Sequence, residues 1–265
     1  MRCWLCLLLC LAVTGCGLIA TPPPLPTVSG LEPAQTAIVL TKNAPPSGFE
    51  QSVAYPQIDD NLDNQPSWHY QVSLVFDGVF AGTSEPAKGR IEAEIFGNSA
   101  AGERRVILKA SGAAFGLTED RNVEGVRIRK DYYLVNQNKQ CAKIENPTEK
   151  QVADLTAGSL IGGIKKATPI GVRKTENNVE IFEYGFSPDD VNPPTLQVTQ
   201  GGSISIAAGD LWVAPAAGGA WHYTVTFNVD SILLQGNRQL SGQIRANYQL
   251  IDTGIPYNIA IPYGC

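Results

Sequence analysis

The two histidines are the first residues to consider for acid-base or metal chemistry. His69 and His222 each stand in the middle of a Trp-His-Tyr tripeptide, at residues 68–70 and 221–223. Two imidazoles that meet in a fold can share a metal ion or act as an acid-base pair. Each histidine, however, alternates with aromatic residues and so falls on the polar side of its segment. We predict solvated or loosely hydrogen-bonded histidines and no metal site.

No other motif in the sequence indicates catalysis. Gly-x-Ser-x-Gly, paired-cysteine, His-Glu-x-x-His and phosphate-binding glycine motifs do not occur. The acidic stretch 59–64 resembles a calcium loop only in part, because Asn64 stands where glycine is required and Tyr70 where glutamate is. With no activatable nucleophile beside a base, we expect a non-catalytic protein that uses no cofactor.

The start of the chain has the layout of a bacterial export signal that ends in a lipid attachment site. Arg2 precedes an uncharged apolar run at 4–13, too short to span a bilayer, and residues 13–16 read Val-Thr-Gly-Cys. This tetrapeptide resembles the lipobox of bacterial lipoproteins. It predicts a signal peptide over residues 1–15, then acylation of Cys16 with chains such as palmitate, which anchors the protein outside the cytoplasm. The alternative is an ordinary secretory signal that happens to contain cysteines.

The remaining cysteines agree with an exported protein. Three of the six leave with the signal peptide and Cys16 is taken by lipid, which leaves Cys141 and Cys265. An even pair in an oxidising compartment predicts one disulfide between them. The alternative is two unpaired buried thiols. Two cysteines so far apart do not predict a metal site.

Composition separates a tether from a folded domain. Half of the 18 prolines lie between residues 22 and 66, which predicts an extended tether over residues 16–66 and a domain over 67–265. The formal charge is −5 and no run of basic residues occurs, so we expect no nucleic-acid partner.

Strict alternation of apolar and polar residues dominates the chain from Trp68 onward. Such alternation is typical of strands with one dry and one wet face. We predict about eight to ten strands in an antiparallel meander. The clearest segments lie at 68–76, 90–95, 221–230 and 240–250. One helix interrupts them, with Asn146 as its cap, Pro147 and Glu149 in its first turn, and an end at Gly158 or at residues 162–163.

The apolar face of these strands requires cover. A helix about 10 Å across shields only two or three strands spaced about 4.8 Å apart. The rest of the face can be hidden in a closed barrel, in a sandwich, or in a half-barrel that accepts an apolar guest. The residues alone do not separate these three α+β, mainly β, architectures.

A family resemblance favours the half-barrel. The lipobox, the proline-rich tether, the meander, the helical stretch Asp-Leu-Thr-Ala-Gly-Ser-Leu at 154–160 and the late strand Gly-Asp-Leu-Trp-Val-Ala at 209–214 together resemble the LolA/LppX-like lipoproteins. The resemblance implies a strongly curved antiparallel sheet with helical cover on its concave side. It also implies carriage of lipids or lipoproteins across the cell envelope.

Two functions follow as expectations for a monomer anchored to the membrane by its lipid. In the first, the concave face binds a lipid or an acylated molecule without turning it over. In the second, the sheet is filled by its own side chains, binds no such ligand, and has a structural or protein-interaction role. If a cavity exists, we expect its walls at one stripe of aromatic and aliphatic residues: Tyr70, Val72, Leu74, Tyr223, Val225 and Phe227.

Overall fold

A computed structural model describes residues 44–194, 197–234 and 238–265. The predicted signal peptide, Cys16 and the first part of the predicted tether lie outside these residues. From Pro45 to Cys265 the chain is one compact unit. Neither helix in the described part is long and apolar enough to cross a bilayer.

A single antiparallel sheet of 13 strands forms the framework. Its spatial order is β1-β8-β9-β11-β12-β13-β2-β3-β4-β5-β6-β7, and β10 pairs with β8. The sheet is curved and unclosed, which confirms the predicted fold class. The strands are β1 Val53–Tyr55, β2 Ser67–Phe80, β3 Pro86–Asn98, β4 Glu103–Ser111, β5 Arg121–Ile128, β6 Asp131–Val135, β7 Cys141–Lys143, β8 Gly163–Glu176, β9 Val179–Gly185, β10 Val191–Asn192, β11 Gln197–Ala214, β12 Gly219–Leu233 and β13 Leu240–Thr253.

The long central strands follow the predicted alternation. In β2 and β12, every second residue from Tyr70 to Phe76 and from Tyr223 to Val229 is buried, while the residues between them face the other side. We call the buried side the core face and the polar side the outer face. The sheet has more strands than predicted because β1, β7 and β10, at two or three residues each, are too short to show alternation.

The predicted helix is present as two short helices. Helix α1 spans Pro147–Ala153, and the Asn146 side chain accepts a hydrogen bond from the Thr148 amide as its cap. Helix α2 spans Ala157–Ile161, with a capping box between Thr156 and Ser159. The second cap divides the predicted helix, because Thr156 adopts an extended conformation. Within the described residues, four 3₁₀ turns complete the helical elements: Leu62–Asn64, Ala113–Phe115, Pro188–Asp190 and Pro215–Ala217.

The described part of the predicted tether is folded. Strand β1 pairs with β8, and Phe49, Ile58 and Leu62 are buried in the main core. The domain therefore begins near Pro45, ahead of the predicted boundary at residue 67. Proline content misplaced this boundary because the apolar residues between the prolines bury enough surface to order the segment. Together with α2, this segment covers part of the core face.

The C-terminal segment, residues 254–265, packs on the outer face. Tyr257 and Ile259 join Val126 and Tyr133 in a small second core. The Asn98 side chain accepts a hydrogen bond from the Tyr257 amide at 3.0 Å and donates one to the Tyr257 carbonyl at 2.7 Å. The predicted disulfide joins Cys141 in β7 to Cys265 and so fixes the end of this segment.

Candidate functional site

The six residues expected to line a cavity lie in the packed interior. All are between 0 and 4% exposed and belong to one continuous hydrophobic core with residues from the covering segments. Ile58 and Ile161 of the cover are themselves fully buried in this core. The structure thus brings the stripe together in a packed hydrophobic core, on the side of the sheet that the covering segments close.

The concavity of interest opens on the outer face. A groove of about 520 Å³, which we call the outer groove, has its floor on the adjacent strands β12, β13, β2, β3 and β4. This volume lies in the range of small-molecule sites. Two rows of outward side chains cross the five strands. In strand order, the first row is His222, Gln249, Gln71, Glu94 and Ile107, and the second is Thr224, Asn247, Ser73, Glu92 and Lys109.

Uncharged amides occupy the centre of the outer groove. Gln71 and Gln249 lie directly opposite each other across the β13–β2 pair. Both are exposed, and neither side chain has a hydrogen-bond partner among the residues that the structure describes. Beside them, the Asn247 amide donates to the Ser73 hydroxyl at 3.3 Å. The centre therefore offers several unused donors and acceptors to a ligand.

The two carboxylates of the outer groove each have a neighbouring side chain as a hydrogen-bond partner. Glu92 accepts a hydrogen bond from Arg90, and Glu94 lies 2.9 Å from Nε2 of His69. His69 stacks on the Phe96 ring at 4.1 Å between ring centroids. Glu92 and Glu94 balance Arg90 and Lys109 in number. The rim therefore has little net charge.

The two histidines do not form a pair. His69 is in β2 and His222 is in β12, with β13 between them. Nε2 of His222 lies 2.9 Å from the Glu176 carboxylate. This hydrogen bond holds the pKa of the Glu176 carboxyl below its ordinary value, against the opposing effect of desolvation. Each histidine is thus a hydrogen-bonded outer-face residue, as the sequence predicts.

A second groove continues the concavity under the C-terminal segment. It has a volume of about 590 Å³ and lies between strands β4 to β6 and residues 258–263. Ile107 lines both grooves, so they are neighbours on one face. Tyr263 at the far rim is fully exposed. A ligand longer than the outer groove could extend toward this second groove.

A further polar cluster, centred on the partly buried Asp59, has contacts that are structural. The Asp59 carboxylate accepts hydrogen bonds from the amides of Ala157 and Gly158 at 3.0 and 2.8 Å and from the Tyr70 hydroxyl at 2.8 Å. Arg104 donates to the Tyr70 hydroxyl at 3.2 Å and to the Leu155 carbonyl. The cluster joins the covering segment, the start of α2 and the sheet. Among the described residues, no group of three or more His, Cys, Asp or Glu is arranged to hold a metal ion.

The polar rows of the outer groove were not singled out from the sequence. The alternation places Gln71, Ser73, Asn247 and Gln249 on the wet face, but gives no reason to separate a ligand site from a solvated surface. Their unused amides become informative only once the strand register is known. Apolar residues alternate from Ile255 to Tyr263. This pattern could have indicated that the segment bounding the second groove packs on the domain.

These features define a class of protein: a curved antiparallel sheet with a covered apolar face and an open polar groove. No protein-family model matches the chain, and no curated protein matches it. Among solved structures, the chain is similar to a DUF1329 family protein from Desulfovibrio piger ATCC 29098. The identity is 7%, the TM-score is 0.23, and the match covers 77% of this chain and 92% of that chain. A likeness at this TM-score carries no argument about function.

Proposed function

We propose that this protein is a lipid-anchored, non-catalytic binding module of the bacterial cell envelope, which holds its ligand or partner on the outer face of the sheet. One observation carries the proposal. The apolar stripe is buried in a filled core, whereas the outer groove leaves hydrogen-bonding side chains free for a ligand. Binding sites are concave and place a few polar groups where a ligand can reach them.

The anchor rests on the sequence. A diacylglycerol thioether and an N-acyl chain on Cys16 supply more than the two lipid signals that stable membrane attachment needs. The proposed lipoprotein would then present the domain from Pro45 onward to the space outside the cytoplasmic membrane. The LolA/LppX-like resemblance is consistent with such a location.

The anchor predicts a simple fractionation result. Cys16→Ser removes the acylated thiol, so the protein should move from the membrane fraction to the soluble extracytoplasmic fraction. Cys10→Ser is the matched control, because that cysteine leaves with the signal peptide and its loss should not change the fraction. Full retention of the Cys16→Ser protein on membranes would contradict lipid anchoring.

Carriage of an apolar ligand in the core face is a second candidate function. The observation that favours it is the presence of two buried tyrosine hydroxyls, on Tyr223 and Tyr248, that have no hydrogen-bond partner among the described residues. Buried polar groups are normally satisfied, and the polar end of an amphipathic guest could satisfy these two. Entry of such a guest would require the covering segment 45–66 and α2 to move, because both are packed into the core.

Native mass spectrometry separates the two candidate functions. For the mature protein purified from its own host, we expect the mass of the chain with its covalent anchor and no further lipid, because the apolar stripe is packed in the core. The Cys16→Ser protein, measured alongside with lipid extraction, distinguishes a lipid in the core from the acyl chains of the anchor. A stoichiometric lipid in both proteins would favour the carrier.

A further inference from the structure

The floor of the outer groove suits an extended ligand. Its two rows of side chains span five adjacent strands, which at about 4.8 Å per strand gives a floor about 19 Å long. Alternate residues along a strand are about 7 Å apart, so the two rows run side by side. The second groove continues the path beyond Ile107. Such a site fits a linear chain of several units better than a compact small molecule.

The hydrogen-bonding groups of the floor both donate and accept. The amides of Gln71, Gln249 and Asn247 each carry a carbonyl oxygen and an NH₂ group, and the hydroxyls of Ser73 and Thr224 also do both. A ligand rich in hydroxyl groups presents the same mixture, since every hydroxyl donates once and accepts twice. Carbohydrates are the biological polymers with this surface chemistry.

The charges of the outer groove favour an uncharged ligand. Arg90 and Lys109 are balanced by Glu92 and Glu94, and Glu92 already accepts a hydrogen bond from Arg90. An anionic polymer would meet the two carboxylates, and a cationic one would meet Arg90 and Lys109. The two acidic and two basic side chains balance, so the outer groove offers no net charge to attract a polymer of either sign.

A peptide fits the outer groove less well. Peptides that bind to sheets gain affinity by adding a strand at a free edge, and all five floor strands are paired on both sides in the described structure. Peptide side chains also need apolar pockets as anchors. Ile107 is the apolar side chain that the two floor rows offer for this purpose.

We propose that the outer groove binds a linear, uncharged oligosaccharide, with the Gln71 and Gln249 amides as its central hydrogen-bonding pair. This inference rests on the proposed function, because it assigns a ligand class to the same outer face. The site needs no rearrangement of the covered core face.

The experiment is titration of the mature protein carrying Cys16→Ser with chitotetraose and with cellotetraose, by calorimetry and by NMR. We expect saturable binding of at least one tetrasaccharide. Gln71→Ala combined with Gln249→Ala should weaken it at least about tenfold, because two hydrogen bonds to the ligand are lost. Gln243→Ala is the matched control, since Gln243 is an exposed glutamine on the same face of β13 but outside the outer groove. This variant should bind the tetrasaccharide with unchanged affinity.

Two results would overturn the inference: no saturable binding of either tetrasaccharide at millimolar concentration, or binding that the double variant does not weaken. Circular dichroism and thermal unfolding verify that the exposed substitutions leave the fold intact. Titration with short neutral and charged peptides completes the test. A peptide that binds in a Gln71- and Gln249-dependent manner would reject the carbohydrate class while leaving the proposed outer-face binding function in place.

Discussion

Above pH 10, the domain should lose stability steeply and unfold between about pH 11 and 12. The cause is a set of tyrosines in the core: Tyr55, Tyr70, Tyr223 and Tyr248 are between 0 and 6% exposed. Burial raises the pKa of each phenol above its ordinary value, since the charged phenolate is poorly solvated in the core.

The sign follows from linkage between protonation and folding. A phenol whose pKa is raised in the folded state contributes its full stability below the unfolded pKa of about 10, and this contribution falls as the pH rises toward the folded pKa. Each such tyrosine removes about 1.4 kcal/mol per pH unit, so four remove about 5.5 kcal/mol per unit. Tyrosinate absorbance should therefore rise in a cooperative step that coincides with the loss of circular dichroism.

Tyr248→Phe gives a sharp check on this result. The Tyr248 hydroxyl has no hydrogen-bond partner among the described residues, so its removal should not destabilise the protein at neutral pH. It should shift the alkaline midpoint upward, because one titrating group is lost. Tyr263→Phe is the control, as Tyr263 is fully exposed and should leave the midpoint unchanged. Titration of all the tyrosines near pH 10 in a folded protein would mean that the core is open to water.

The sequence was sufficient for the central part of the fold. The alternation in β2, β12 and β13 is long enough to establish both the strands and their buried sides, because at least four residues on each strand repeat the pattern. Four of the six cysteines were assigned to the signal peptide and the lipid anchor, and the remaining pair predicted the Cys141–Cys265 disulfide. Very short strands such as β10 could not be predicted, since two residues cannot show the alternation of apolar and polar side chains.

The outer groove could not be predicted for a different reason. Gln71 and Gln249 are distant in sequence and become neighbours only through the pairing of β13 with β2. Alternation determines which face a residue occupies but not which residue lies across from it. The C-terminal segment adds a second non-local element, because Tyr257 packs against strands that precede it by more than a hundred residues. A ligand site built from cross-strand rows requires the register, and the register requires the structure.

Asp59→Ala should destabilise the domain by about 3 to 5 kcal/mol. The substitution leaves the amides of Ala157 and Gly158 and the Tyr70 hydroxyl without the acceptor that they share. It also removes the carboxylate that reaches the buried Arg104 guanidinium through the Tyr70 hydroxyl. Urea unfolding of the mature protein measures the effect. Asp59→Asn keeps one acceptor oxygen, so it should lower the free energy of unfolding by less than Asp59→Ala does.

Asp63→Ala is the matched control, because Asp63 lies in the same covering segment but is exposed, and its loss should cost no more than about 0.5 kcal/mol. A cost below about 1 kcal/mol for Asp59→Ala would show that the cluster does not hold the cover in place.

The result also bears on function. Asp59 joins the segment 45–66 to α2, and both cover the core face, so its loss should expose apolar surface and increase the binding of a hydrophobic dye. If the variant stays folded and takes up lipid that the unsubstituted protein rejects, the filled core of the native protein is what confines binding to the outer face.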